Sequence, residues 1–363
     1  MSKQKKKYRR LQTLVGITVL LLGGCNVTWP MLPATAVRAP IEAIEGQGTV
    51  YAPPSANENW PAAQVASASP DQLLYYYSPI LVQQQGTKTG EKYLWSPEDD
   101  SIGKATLSYN EKGLLVTQID TSQPTVYGFA KQSPLGTAQH TQLTYVVWYP
   151  RHPRTKMIDI EAAPIDSGVL RITLDGQNQP LLYESVLACG CYHKVFAESR
   201  VETAAAQAYG PPESGKHFSL EKNSSMKLDW EVAGLVDTPR DQPTRPVVFV
   251  SAGEHRNLGV HSSASFNWAS AGGRVRPYRL APYYELTAAP IADTGQQASI
   301  FNAENDQQVL GADRLEKYIF MWIGTDDAGH PRRDDEILLH FDQSQWNDPA
   351  NYSNYLRIPP GLL

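Results

Sequence analysis

Apolar and polar residues alternate along most of the chain in the way that β-strands require. From residue 72 onward, short apolar runs are separated by clusters of turn-forming residues. The predicted strands cover residues 73–82, 105–109, 114–119, 126–130, 143–149, 169–174, 181–187, 227–232, 247–251, 318–323 and 337–341. The run Asn110-Glu111-Lys112-Gly113 predicts a hairpin turn between the second and third strands.

Helical periodicity is clear in one segment, residues 197–209. This segment is rich in alanine, places Val201 and Ala205 on one stripe, and ends at Gly210-Pro211. A weaker helical turn is predicted at residues 312–317. The content of 19 Tyr and 8 Trp also favours β structure. We therefore expect a mainly β fold, a β-sandwich or a curled antiparallel sheet, with one or two short helices.

Residues 26–70 show neither the alternation of a strand nor the periodicity of a helix, and they contain seven prolines. This composition predicts a flexible segment. The chain then divides into a signal at residues 1–24, a Pro/Ala-rich leash at residues 25–70 and a single β-rich body at residues 71–363. The two tryptophans of the leash leave an alternative, in which part of it docks on the body.

The first 25 residues have the three parts of an export signal. Six Lys and Arg residues precede a short apolar run at residues 11–22, and Leu22-Gly23-Gly24-Cys25 ends the segment. The apolar run is short for a membrane span. The last four residues resemble the bacterial lipobox, in which the cysteine is acylated and becomes the mature N-terminus.

The lipobox resemblance implies a palmitate-type lipid on Cys25 and attachment to a membrane through that lipid. Asn26 stands where an aspartate would favour the inner membrane. The resemblance therefore implies a lipoprotein of the bacterial cell envelope, sorted to the outer membrane and facing the periplasm. The alternative is an uncleaved N-terminal anchor helix.

The charge balance limits the partners of the body. Without the signal, the chain has 26 Lys and Arg against 37 Asp and Glu, a net charge of −11. An acidic body argues against nucleic acid and against anionic lipid, because both bind cationic surfaces. An envelope protein or a small ligand remains as a partner.

The sharpest local motif is Cys189-Gly190-Cys191-Tyr192-His193, which follows a predicted strand. In an extended strand, Cys189, Cys191 and His193 share one face and are candidate ligands for copper or zinc. Because the two ends of the motif would lie roughly 13 Å apart, a common ion requires a kink at Gly190. A Cys189–Cys191 disulfide, two unlinked thiols, and a metal or redox site all remain open.

A second constellation contains Asp229, Glu231 and His255. The two carboxylates share one face of a predicted strand, where they are candidates for binding a cation such as calcium. His255 follows a buried strand, at a turn where functional side chains are often presented. Asp229-Trp230-Glu231 resembles part of the His-Asp-Trp-Glu stretch of necrosis- and ethylene-inducing-peptide-like β-sandwich proteins, which helps them bind a divalent cation. Leu228 replaces the histidine, so the resemblance adds only mild support for a sandwich.

A charged stretch follows the strand at residues 143–149. It contains His152, Asp159, Glu161 and Asp166, and its composition predicts a solvated loop with local ion pairs.

The chain has no G-x-S-x-G, H-E-x-x-H, P-loop or G-x-G-x-x-G motif. We therefore expect a membrane-anchored envelope lipoprotein with a non-catalytic, β-rich binding or structural body. The alternative is a periplasmic metal-binding or thiol-redox protein that uses Cys189, Cys191 and His193. A third hypothesis, a hydrolase, requires His255 to lie beside Asp229 or Glu231.

Overall fold

The structure is a computed structural model, which describes residues 48–86, 96–136, 138–154, 159–223, 232–268, 274–318, 329–339 and 344–362. Its strands are β1 (Gly48–Ala52), β2 (Ile80–Gln84), β3 (Lys104–Tyr109), β4 (Leu115–Asp120), β5 (Thr125–Leu135), β6 (Ala138–His152), β7 (Ala163–Leu174), β8 (Pro180–Leu187), β9 (Lys194–Glu198), β10 (Val232–Val236), β11 (Pro246–Val250), β12 (Asn257–Ser262), β13 (Arg274–Pro277), β14 (Arg279–Pro282), β15 (Ala289–Pro290), β16 (Gln297–Ala298), β17 (Phe301–Asn302), β18 (Gln308–Val309), β19 (Leu338–Leu339) and β20 (Ser344–Gln345). The helices are α1 (Ala62–Ser67), α2 (Pro70–Tyr76), α3 (Ser199–Tyr209) and α4 (Ala350–Tyr355), with 3-10 turns at Tyr283–Ala288, Asp334–Glu336 and Pro360–Leu362. The predicted mainly β fold with short helices is confirmed.

Two sheets form the centre of the structure. The larger has the order β10-β9-β8-β7-β6-β5-β14, in which β5 to β9 are antiparallel neighbours and the two edge strands are added in parallel. The smaller has the order β12-β11-β2-β1-β13. Tyr51, Leu81 and Val248 of the smaller sheet form one buried cluster with Tyr145 and Leu170 of the larger. The two sheets therefore pack face to face.

The larger sheet is covered on both faces. Along β6, Tyr145 and Val147 contribute to the cluster between the sheets, whereas Val146 and Trp148 contribute to a second buried cluster. That second cluster also contains residues from β3, β17, β18 and β19. Double coverage explains why β8 is buried at every position and has no polar alternation.

Two local predictions are confirmed. The hairpin of β3 and β4 forms around Asn110, whose side-chain oxygen accepts hydrogen bonds from the backbone N–H groups of Lys112 and Leu114 at 3.0 Å. The alanine-rich helix is α3, which ends at Gly210 with φ of 81°. At the weaker predicted turn, residues 315–318 are helical. Among the described residues, no helix is both long and apolar enough to cross a membrane.

The prediction that residues 25–70 form a leash is wrong for its second half. Strand β1 lies between β2 and β13, and all five of its residues are buried. Val65 of α1 is also fully buried and belongs to the cluster between the sheets. The prolines that mark this segment flank short elements rather than preventing them. The signal, Cys25 and the rest of the leash lie outside the described residues.

The predicted strand at residues 73–82 is also corrected. Its first half is helix α2, because the sequence before it forms a capping box. The Ser69 side chain accepts from the backbone N–H of Gln72, the Gln72 side chain accepts from the backbone N–H of Ser69, and Pro70 occupies the first helical turn. Only the second half becomes a strand, β2.

Candidate functional site

Charged side chains from both sheets meet at one end of the sandwich. His152 is the last residue of β6, and Asp166 lies on the neighbouring strand β7. His255 comes from the other sheet, in the turn between β11 and β12. Arg314 approaches from a later segment of the chain. All four side chains are at most 1% exposed, so the group lies out of reach of bulk water.

Asp166 is the centre of this group, which we call the histidine cluster: His152, Asp166, His255 and Arg314. One Asp166 oxygen, Oδ2, lies 2.8 Å from His152 Nδ1 and 2.8 Å from His255 Nδ1. The other oxygen, Oδ1, accepts a hydrogen bond from Arg314 at 2.7 Å. Both carboxylate oxygens are thus engaged by groups that carry or share protons.

The outer nitrogen of each imidazole also has an acidic or carbonyl neighbour. His255 Nε2 donates to the carbonyl oxygen of Asp99 at 3.1 Å and lies 3.4 Å from Asp100 Oδ1. His152 Nε2 lies 3.5 Å from Glu161 Oε2. Both rings are therefore held at both nitrogens.

The backbone around the cluster is strained at two positions. Ile165 has φ of 65° and His255 has φ of 49°, both in the left-handed region. Such a φ costs a β-branched residue like Ile165 on the order of 1–3 kcal/mol. The ring of Tyr149 stacks on His255 with centroids 3.7 Å apart, which fixes the imidazole plane. The backbone strain at Ile165 and His255 accompanies a fixed placement of the cluster side chains.

The electrostatics of the cluster favour charged groups despite burial. Burial alone would raise the pKa of Asp166, but the charges of His152 and Arg314 and the histidine hydrogen bonds hold that pKa well below its usual range. Burial alone would lower the pKa of His255, yet the hydrogen bonds to Asp100 and Asp166 raise it to about 9. This raised pKa favours the protonated, cationic form of His255 at neutral pH.

The cysteine motif is a turn rather than an extended strand, so the predicted common face is wrong. Gly190 carries the kink, with φ of 86°, and its N–H donates to the carbonyl oxygen of Leu187 at 2.8 Å. Cys189 and Cys191 are not joined by a disulfide in the structure. The hydrogen bond with Cys191, and then burial, raise the pKa of the Cys189 thiol well above its usual value.

His193 does not complete a metal site with the two thiols. Its buried ring lies edge-on to Trp346, with centroids 5.1 Å apart, and Nε2 is 3.4 Å from Glu184 Oε1. Within the described part of the chain, the one set of three His, Cys, Asp or Glu ligand atoms found within 4.8 Å of one another is His152, Asp166 and His255. The three predicted ligands of the cysteine motif do not form such a set.

Of the other predicted site residues, His255 is placed in the cluster. Asp229 and Glu231 lie outside the described residues, so their cation site and their relation to His255 stay predictions. The solvated-loop prediction for residues 151–166 is wrong at His152, Glu161 and Asp166, which are buried.

The sequence did not link Asp166 to His255 or to Arg314, because these residues are 89 and 148 positions away along the chain. Their one local signal is a histidine at the end of a long apolar run, at His152. Arg314 carries no signal that distinguishes it from a surface arginine.

A separate cavity of about 760 Å³ lies beside β5 and β14. Its walls are largely apolar, and its lining includes Leu74, Gly128, Phe129, Ala130, Leu280, Ala281, Pro282, Tyr283 and Tyr284. At one end Lys131 donates a hydrogen bond to the side-chain oxygen of Asn347, and burial lowers the pKa of Lys131. Asn347 in turn donates to Asp334 at 3.0 Å. The cavity thus combines an apolar wall with a polar end.

Comparisons with protein families, with curated proteins and with solved structures find no match to this chain.

Proposed function

We propose that this chain is a lipid-anchored protein of the bacterial cell envelope, whose non-catalytic β-rich body binds a small ligand in the cavity beside β5 and β14. The observation that carries the binding role is the cavity itself. At about 760 Å³ it is within the usual size range of small-molecule sites, and it has an apolar wall and one polar end.

The polar end selects the ligand class. Arg333 is already engaged by Asp335, through contacts of 2.5 and 2.8 Å. Among the described residues Lys131 donates one hydrogen bond, to Asn347, whereas an ammonium group has three N–H donors. The ligand that fits is an amphipathic molecule that places an anionic or acceptor group at Lys131 and an apolar part against Phe129 and Leu280.

The lining favours binding over catalysis. Among the described residues that line the cavity, none is Cys, His or Ser. The acidic residue Asp334 is committed to its neighbours, because its Oδ1 accepts from Trp346 Nε1 at 3.1 Å and its Oδ2 accepts from Asn347. Histidine, cysteine and serine, the side chains that most often act as catalytic bases and nucleophiles, are therefore missing from the described lining.

The anchor rests on the export signal and the lipobox at Leu22-Gly23-Gly24-Cys25. An acidic body needs such a lipid to stay at an anionic membrane, because its own surface is repelled. Asn26 supports sorting to the outer membrane, facing the periplasm.

The anchor is tested by expressing the full chain in a bacterium and measuring palmitate labelling and membrane fractionation. The wild-type chain is expected to take up label and sediment with outer membranes, and Cys25→Ser to lose the label. Equal labelling of both chains would refute the anchor at this residue.

The cavity is tested with an anilinonaphthalene sulfonate probe, which is aromatic and anionic. Lys131→Gln is expected to weaken binding of the probe about 10-fold, the effect of losing one charge-assisted hydrogen bond. Lys112→Gln removes the same charge from an exposed turn and serves as the matched control. Unchanged affinity in Lys131→Gln, or an equal loss in the control, rejects the assignment.

The second candidate function is a periplasmic metal-binding or thiol-redox protein built on Cys189, Cys191 and His193. The observation in favour is that two thiols, not joined by a disulfide, lie in one turn and share a hydrogen bond. The position of His193 against Trp346 supports the redox version over the metal version. Thiol titration of the purified chain tests it: reversible loss of two thiols on exposure to a disulfide oxidant, abolished in Cys191→Ser, is the expected signature.

A further inference from the structure

Three potential ligand atoms converge in the histidine cluster. One ligand atom from each of His152, Asp166 and His255 lies within 4.8 Å of the other two. Asp166 Oδ2 is 2.8 Å from Nδ1 of each histidine, and the three residues come from two different sheets or the turns between their strands. A single ion between them would connect β6 and β7 of one sheet to the β11–β12 turn of the other. The cluster is separate from the cavity beside β5 and β14, with which it shares no lining residue.

The surroundings of the three atoms match those of protein metal ligands. Histidines that bind a metal donate their other ring N–H to a carbonyl or carboxylate, and ligating carboxylates are themselves hydrogen-bonded. His255 Nε2 donates to the Asp99 carbonyl oxygen, and His152 Nε2 faces Glu161. The second oxygen of Asp166 is held by Arg314. Each of the three potential ligand side chains is therefore held in its orientation by a contact at its other nitrogen or oxygen.

The local charge also suits a cation. Besides Asp166, the carboxylates of Asp100 and Glu161 lie within 3.5 Å of the two imidazoles. Against these acidic groups Arg314 supplies one permanent positive charge. With both histidines neutral the group is anionic, which a divalent ion would offset.

We propose that His152 Nδ1, His255 Nδ1 and Asp166 Oδ2 bind a divalent transition-metal ion of the zinc class. Two imidazole nitrogens favour zinc and its neighbours over calcium or magnesium, which prefer oxygen ligands. Ligands of a tetrahedral zinc lie about 3.3 Å apart, so each 2.8 Å contact with Asp166 opens by about 0.5 Å on binding. Protons now held on the Nδ1 atoms leave as the metal enters.

The protein supplies three ligands, so a tetrahedral ion at this site would keep a fourth position for water. Because the protein ligands are at most 1% exposed, we assign the ion a structural role, in which it holds the two sheets together at this end.

The test uses the full chain, purified in detergent, stripped with a chelator and titrated with Zn²⁺ or Co²⁺ against a chromophoric competitor. We expect one equivalent to bind, Zn²⁺ to raise the melting temperature, and the Co²⁺ complex to lack a thiolate-to-cobalt absorption band. His152→Gln and His255→Gln are each expected to abolish stoichiometric binding. Glu161→Gln, which alters only the residue behind His152, is expected to weaken binding about 10- to 100-fold.

Two controls separate this site from the other candidates. His140→Gln removes a buried histidine whose Nδ1 contacts the carbonyl oxygen of Leu174, and it is expected to bind normally. The double variant Cys189→Ser/Cys191→Ser is also expected to bind normally. If the histidine variants fail to fold, the wild-type Co²⁺ spectrum and the affinity of Glu161→Gln still test whether the metal binds at this site. Failure of the wild-type chain to take up an equivalent, a thiolate band, or binding that survives loss of both histidines overturns the proposal.

Discussion

At the scale of single residues, Glu198 shows how burial changes a proton equilibrium. Its Oε1 accepts hydrogen bonds of 2.7 Å from Tyr183 and from Thr238, and the residue is 3% exposed. Burial is the largest effect and raises the pKa of Glu198 from 4.5 to about 7, although these hydrogen bonds oppose it. The folded chain therefore binds this proton more tightly than the unfolded chain does.

The stability of the protein is expected to fall as the pH rises through this window. The contribution of Glu198 to the free energy of unfolding is fully present below pH 4.5, which is its pKa in the unfolded chain. This contribution is lost by about pH 7, its pKa in the folded chain, a change of about 3 kcal/mol. Urea unfolding at pH 5 and pH 8 measures it. Glu198→Gln is expected to have the smaller difference between the two pH values, and an identical difference in both chains contradicts the assignment.

Gly190 makes a second prediction at this scale. A Cβ at this position would lie 1.7 Å from the backbone oxygen of Leu338, and φ is 86°. Gly210 has φ of 81° but nothing within 4 Å of a Cβ. Gly210→Ala is expected to cost about 1 kcal/mol from backbone strain alone, and Gly190→Ala about 1–3 kcal/mol more from overpacking. Chemical denaturation of both variants checks this, and equal losses contradict it.

The histidine cluster marks the limit of sequence-based prediction for side chains. His255 was identifiable because a turn follows a buried strand. Its partner Asp166 is 89 residues away along the chain. Charged residues within a short stretch usually form a solvated loop, and the position of His152 at the end of an apolar run is the one local sign of the buried case. The partnership depends on how the two sheets align, which no local pattern encodes.

At the scale of elements, the pairing of β7 with β8 buries an ion pair. Arg171 and Glu184 are cross-strand neighbours, joined by two hydrogen bonds of 2.9 Å. Trp346 covers the guanidinium at 3.7 Å, and Tyr352 donates to Glu184. Burial raises the pKa of Glu184, but Arg171 lowers it to about 2, so both partners are charged.

Removing one partner of this pair is expected to cost more than removing both. Glu184→Gln leaves the guanidinium of Arg171 buried without its counter-charge and is expected to lower the free energy of unfolding by about 3–5 kcal/mol. The double variant Arg171→Met/Glu184→Leu is expected to lose less. A double-mutant cycle of Arg171→Met, Glu184→Leu and the double variant, measured by urea unfolding, gives the coupling. Additive single and double losses count against a coupled pair.

A helix or strand could be predicted from the sequence when the interactions that determine it are local, and could not when they come from distant parts of the chain. The β3–β4 hairpin and α3 were predictable because Asn110 and Gly210 fix their ends locally. Helix α2 was not, since its Leu- and Tyr-rich sequence favours a strand and the Ser69 cap decides otherwise. Strand β1 was missed because its place depends on β2 and β13, far along the chain.

At the scale of the whole molecule, β1 changes where the folded body begins. A chain that starts at residue 71 loses the strand between β2 and β13 and the buried side chains of Val50 and Tyr51. We expect such a chain to lack a cooperative thermal transition, whereas a chain that starts at residue 48 keeps one. Circular dichroism melts compare the two. A cooperative melt of the shorter chain would contradict this expectation and support a folded body that begins at residue 71.

The position of β1 also determines how the body carries mechanical load. If Cys25 holds the lipid, any pull from the membrane enters the body through the N-terminal end of this strand. Because β1 is hydrogen-bonded to β2 on one side and to β13 on the other, tension along the strand shears both ladders at once. An edge strand pulled in the same direction would be held by one ladder instead of two. With a lipid at Cys25, the pull would therefore reach a strand in the interior of a sheet, where two ladders of hydrogen bonds resist extraction.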